Sequence, residues 1–190
     1  MSLGFGRLLF GVWAGGALLC GSVFTSFHQP FTTPQTGILA LGRATKPGQW
    51  RALHFVSSSC GCSQKILQGL ERRGKLSDIA EQILVIDSHE SPLPGSQQRL
   101  STLQADGFTV EHLDSSTIPS NVGLHGVPML AIASPTGRLV YIGGYGPEGG
   151  SDPALIRKAQ AGNAPSPKPI LGCAVGARIR RKADPLRWKY

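Results

Sequence analysis

The sequence predicts an α/β domain built on a mixed central sheet flanked by helices. Three observations carry that prediction. Short runs rich in β-branched and aromatic residues alternate with runs of helical period from Trp50 onward. Two apolar runs flank Pro135-Thr136-Gly137 closely enough to form an antiparallel hairpin. A 41% apolar composition over 190 residues suits one packed core with appendages at either end.

The first strand is expected at Trp50–Val56, between Pro47-Gly48 and Ser57-Ser58-Ser59. After it, Ile66, Leu67 and Leu70 recur at helical spacing among polar side chains, and Gly74 ends the run as a C-cap. Residues 82–87 (QILVID) form a second strand. Ser91–Gly95 is a loop, a helix follows with Leu100 and Leu103 inward, and 108–113 is a further strand. Residues 127–133 and 139–142 are the hairpin strands, with Gly137 at the turn. A last helix runs from Asp152, its N-cap, with Pro153 at the first helical position, to Ala161. The order βαβα(β)ββα places helices over a sheet that is partly parallel and partly antiparallel.

Four segments follow. Residues 1–28 are a membrane anchor or signal, 29–48 a linker, 49–162 the folded domain, and 163–190 a Pro-rich spacer with a basic extension containing Cys173. Leu8–Phe27 contains no charged residue over about the twenty positions that cross a bilayer, so a spanning helix is expected. Arg7 and the N-terminal amine precede it and no basic residue follows until Arg43, which puts the domain on the extracytoplasmic side, periplasmic in a bacterium. The linker contains Pro30, Pro34 and Pro47-Gly48, with a short strand at Ile38–Leu41.

The chemistry concentrates at Cys60-Gly61-Cys62, where a strand ends and a helix begins. Two thiols at a helix N-terminus point to redox or metal chemistry, because unpaired backbone N–H groups and the helix dipole favour the thiolate. A disulfide between positions i and i+2 closes a small ring that Gly61 tolerates, and the strain of such a ring predicts an easily reduced, oxidising pair. The other pairing joins one of these thiols to Cys173, which the extended spacer Pro165–Pro169 can carry back across the domain. Cys173 is a resolving thiol, a third metal ligand or a buried small residue on these grounds. Cys20, inside the apolar N-terminal run, reads as a small apolar residue.

The cysteine motif after the first core strand, together with Gly126-Val127-Pro128 before the hairpin, resembles the thioredoxin-like superfamily. The likeness is to membrane-tethered extracytoplasmic thiol–disulfide proteins of the TlpA and ResA kind, over roughly Trp50 to Gly162. The resemblance implies a cis Val127-Pro128 bond and a Val127 backbone beside Cys60 that holds an extended substrate strand. It also implies an oxidoreductase or isomerase acting on extracytoplasmic protein thiols or disulfides through Cys60 and Cys62. The family motif is Cys-x-x-Cys, whereas this chain reads Cys60-Gly61-Cys62-Ser63. Aligning Cys60 with the attacking thiol leaves Ser63 at the usual resolving position and moves that role to Cys62. His54 then stands six residues upstream, where the family often has a buried acid, as a base for the resolving thiol's proton; a core histidine bonded to backbone is the plainer reading.

Two further classes of function stay open. Cys60, Cys62 and Cys173 can hold Cu(I) or Zn(II) in a metallochaperone-like protein, with His89, His112 and His125 as candidate partners; otherwise no cofactor is expected. Copper chaperones of the SCO kind share the fold but space their cysteines Cys-x-x-x-Cys, unlike this chain. The third class is a noncatalytic interaction module with structural cysteines. The net charge of +8 is concentrated at the end, with Arg178, Arg180, Arg181, Lys182, Arg187 and Lys189 against Asp184. That run is a solvated tail or an anionic-lipid contact helped by Trp188 and Tyr190. No nucleic-acid recognition motif accompanies the charge, so nucleic acid is not an expected partner.

Overall fold

The computed structural model describes residues 3–27, 30–33, 37–43, 46–87, 90–146, 152–163 and 165–184. Strand β1 (Trp50–Val56) lies at the centre of a five-stranded sheet. It pairs parallel with β2 (Ile79–Asp87), which pairs parallel with β3 (Thr109–Asp114). On its other side β1 pairs antiparallel with β5 (Met129–Ala133), which pairs antiparallel with β6 (Leu139–Gly143) across the Gly137 turn. The sheet is therefore mixed in the expected way, and β4 (Gly126–Val127) precedes β5 outside it.

Alternation along β1 divides the core in two. Ala52 and Val56 face helix α2 (Gly61–Arg73), helix α3 (Ser96–Ala105) and helix α4 (Asp152–Gln160), packing with Leu67, Leu70, Leu103 and Ile156. Leu53 and Phe55 face the other way, toward Leu84, Met129, Ile38, Val122, Ile170 and Val175. No long helix covers that second face among the described residues. Its cover is a 3₁₀ turn at Ile38–Leu41, another at Ser120–Val122, and the C-terminal segment. The strand expected at Ile38–Leu41 is thus a 3₁₀ turn. Gly37 at φ 75° turns the chain into it and Ile38 plugs the core, a role that an extended pairing would not give it.

The C-terminal segment returns to the domain as a strand, not as a free tail. The Phe31 N–H donates to the Ile170 carbonyl at 2.9 Å, and the Gly144 N–H donates to the Lys168 carbonyl at 2.9 Å. Strand β7 (Cys173–Ala174) then pairs antiparallel with β4, Val127 opposite Cys173 and Gly126 opposite Ala174, before helix α5 (Gly176–Ala183). A Cβ on Gly144 would lie 2.1 Å from the Pro169 carbonyl oxygen, so this contact between backbones requires glycine. Arg180 of α5 pairs with Glu90, which ties part of the basic run to the domain; Arg187 to Tyr190 lie outside the described residues.

The N-terminal run forms the helix α1 (Leu3–Phe27), long enough to span a bilayer. The expected spanning helix is not found: among the described residues, no helix is long and apolar enough to cross a membrane.

Leu67 is fully buried where α2 meets the sheet. Leu67→Ala is expected to destabilise the fold by about 2–5 kcal/mol, seen as a lower urea midpoint at unchanged slope.

Candidate thiol–disulfide site

Strand β1 delivers the cysteine loop, and the loop is pinned from three directions. The Cys60 N–H donates to the Ser57 carbonyl at 3.2 Å. Ser63, fully buried in the first turn of α2, accepts the Ser57 N–H at 3.0 Å. The Ser96 hydroxyl of α3 donates to the Ser58 carbonyl at 2.9 Å and takes a hydrogen bond from the Gln64 amide at 2.9 Å. Ser63, standing where the resembled family has its second cysteine, therefore serves as a latch between helix and loop. Its hydroxyl makes a backbone contact for which a thiol is a poor substitute.

Cys60 is the N-cap residue of α2, is 1% exposed, and lies with its Sγ 4.0 Å from the Val127 carbonyl oxygen. The Val127-Pro128 bond is cis, so Pro128 and Val127 stand beside Cys60 as the resemblance implies. The disulfide partner is Cys173, with Cα atoms 6.1 Å apart, within the ordinary range. This corrects the expected pairing of Cys60 with Cys62. Cys62 is a free, exposed thiol one residue inside α2. The helix begins at Gly61, so helical geometry carries the Cys62 side chain outward while Cys60 faces β4. Of the readings open for Cys173, the structure takes the one in which it pairs with Cys60, delivered by β7.

His54 sits on the helix-facing side of β1, fully buried, in a polar cluster that the sequence did not reveal. Its Nε2 is 3.2 Å from Glu81 Oε1 and its Nδ1 is 2.8 Å from the Tyr145 hydroxyl. A carboxylate can only accept, so Nε2 carries a proton. Arg73, near the end of α2, donates from Nε to Asp152 Oδ2 at 2.8 Å and from Nη1 to Glu81 Oε2 at 3.1 Å; its Nη2 also pairs with Glu81. The Leu76 N–H donates to Glu81 Oε2 at 2.7 Å. Burial pushes the Glu81 carboxyl up, but hydrogen bonds from His54 and Arg73 and the charge of the guanidinium outweigh it and hold the group at about 2. Burial, with the Asp152 charge added, pushes the Tyr145 hydroxyl well above its usual value, so it stays a donor.

Both His54 nitrogens are thus engaged by Glu81 and Tyr145, and the structure brings neither to a cysteine. Asp152 opens α4 as expected, but its carboxylate holds Arg73 instead of serving as a free cap. A signal for Glu81 was present in the sequence: an acid near the start of the apolar strand Ile79–Asp87 needs a buried partner. His54, Glu81 and Asp152 offer ligand atoms within 4.8 Å of one another, yet the Arg73 guanidinium already supplies the positive charge between the carboxylates. Of the candidate metal partners, His112 pairs with Asp87 and His125 with Thr32; His89 lies outside the described residues.

Two expectations check this site. Non-reduced peptide mapping of Cys62→Ser should show the Cys60–Cys173 link intact, since Cys62 takes no part in it. Glu81 ionises more readily in the fold than unfolded, so its contribution is complete above about pH 4.5 and is lost as pH falls toward about 2. Glu81→Gln should remove ~3 kcal/mol of stability at pH 7 and flatten the acid limb of a stability–pH profile measured by urea unfolding.

No protein-family model and no curated protein matches the chain. Solved structures do share its fold. A thioredoxin-like protein in its oxidised form is 20% identical and aligns over 72% of this chain and 97% of its own, with a TM-score of 0.50. An uncharacterised conserved protein from Geobacillus kaustophilus is 12% identical, with 80% and 92% covered and a TM-score of 0.52. A hypothetical protein from Sinorhizobium meliloti is 18% identical, with 78% and 93% covered and a TM-score of 0.51. At these identities the likeness is one of architecture: mixed sheet, cysteine at the first turn of α2 and cis-proline before β5 together make this chain a thioredoxin-like fold.

Proposed function

We propose that the chain is a thiol–disulfide oxidoreductase acting on protein thiols or disulfides, with Cys60 and Cys173 as its redox couple. One observation carries this reading: Cys60, at the N-terminus of α2 and beside Val127, is bonded to a cysteine brought by a separate strand. In the reduced protein the Cys60 thiolate attacks one sulfur of a client disulfide. The Cys60–client bond forms, the client S–S bond breaks, and the departing client sulfur takes up a proton. The Cys173 thiolate then attacks Cys60, the Cys60–Cys173 bond forms, and the second client sulfur leaves. The client gains two electrons and two protons, and the couple is oxidised; with a dithiol client every step runs backward. In either direction Cys60 carries the transient negative charge, where the N–H groups of the first turn of α2 favour it.

A disulfide of this kind persists in an oxidising environment, which supports a site of action outside the cytoplasm. The metal-carrier alternative has less support, because the disulfide consumes two of its three thiolates. The noncatalytic alternative makes the same bond a permanent staple, and the two readings separate by experiment.

Cys60→Ser and Cys173→Ser should each lower the rate of insulin disulfide reduction with a dithiol reductant by roughly 100-fold, while Cys62→Ser stays within about threefold. Equilibration in glutathione buffers supplies the counter-test. A Cys60–Cys173 bond that remains closed below about −300 mV is a staple, and the oxidoreductase reading then fails.

A further inference from the structure

Residues 168–175 fill a groove whose walls are backbone. Lys168 meets Gly144, Ile170 meets Phe31, Cys173 meets Val127, and the Val175 N–H donates to the His125 carbonyl at 2.9 Å. Ile170 is fully buried, Ala174 and Val175 nearly so. Gly172, immediately before the cysteine, has no room for a side chain. A Cβ there would lie 2.0 Å from the Val127 carbonyl oxygen and 2.7 Å from Pro128 Cδ. Both are rigid parts of the wall, so relief requires the whole strand to move.

We infer that the C-terminal strand is a resident occupant of the client groove that the resemblance implies beside Val127, and that this groove selects extended segments of the pattern Ile-x-Gly-Cys-Ala-Val. The inference rests on the oxidoreductase reading and deepens it by naming the client class. An extended segment that replaces the strand adds to β4 by the same main-chain bonds, and those bonds are indifferent to sequence. Selection comes from side chains: an apolar residue three before the cysteine fills the Ile170 position, and a small residue after it fits at Ala174. Glycine directly before the cysteine is the strictest requirement, since any other residue meets Val127 and Pro128. The resident strand satisfies all three and places its sulfur on Cys60, so the couple and the client site share one register.

The test uses the full chain with Cys20→Ser, Cys62→Ser and Cys173→Ser, leaving Cys60 as the sole thiol. The probe is a synthetic peptide with the sequence of residues 166–178 whose cysteine is capped by thionitrobenzoate through a disulfide. The Cys60 thiolate attacks the peptide sulfur; the Cys60–peptide bond forms, the peptide–thionitrobenzoate bond breaks, and the coloured thiolate leaves with no net oxidation. Relative to the parent peptide, the Gly172→Ala peptide should react at least about tenfold more slowly, as expected for overpacking against a rigid wall. The Ile170→Ser peptide should also be slower. Changes are confined to the peptide, so no loss of folding enters the comparison. Equal rates for the three peptides overturn the groove assignment while leaving the oxidoreductase reading standing, provided Cys60 reacts with a small symmetric aryl disulfide. A Cys60 inert to that small disulfide overturns both.

Discussion

The arrangement depends on a buried cluster of ions and their hydrogen-bond partners. Arg73, Glu81, Asp152 and His54 lie beneath the sheet, and each comes from a different element: α2, β2, α4 and β1. Burying an unpaired ion costs several kcal/mol, so these elements are held to positions in which every partner is met. Arg73 anchors the far end of the helix that begins at Cys60. The position of the sulfur is therefore fixed at both ends of α2, by the serine latch at its start and by the ion cluster near its end. Removing one charge while leaving the others is the costly change, because it strands a buried partner without compensation.

What was legible in the sequence follows the range of the forces involved. The elements β1, α2, α3 and the β5–β6 hairpin were readable because periodicity and turn chemistry are local, and their boundaries agree to within a few residues. The sulfur pairing was not readable. It joins cysteines 113 positions apart and depends on the pairing of two two-residue strands, neither of which has a pattern of its own. Adjacency in sequence favoured Cys62; the direction of side chains leaving a helix excluded it.

The second face of the sheet is closed by short 3₁₀ turns and the C-terminal segment, and this explains the chain's dependence on glycine there. Where helices pack on a sheet, side chains set the spacing near 10 Å; where backbone packs on backbone, the spacing is set by the missing Cβ. Gly144 against Pro169 and Gly172 against Val127 are such contacts. They let the C-terminal segment lie deep enough for Ile170 to join the core.

The disulfide also encloses most of the domain, because β2 through α4 lie between its two cysteines. Closing a loop of about a hundred residues restricts the unfolded chain by an amount equivalent to roughly 5 kcal/mol in the chain-entropy description. Oxidation and folding are then thermodynamically linked: the closed form is the harder one to unfold, and the fold in turn favours closure. A catalyst built this way alternates between a more and a less robust state with each turnover. Its vulnerability to proteolysis becomes a readout of the redox balance around it.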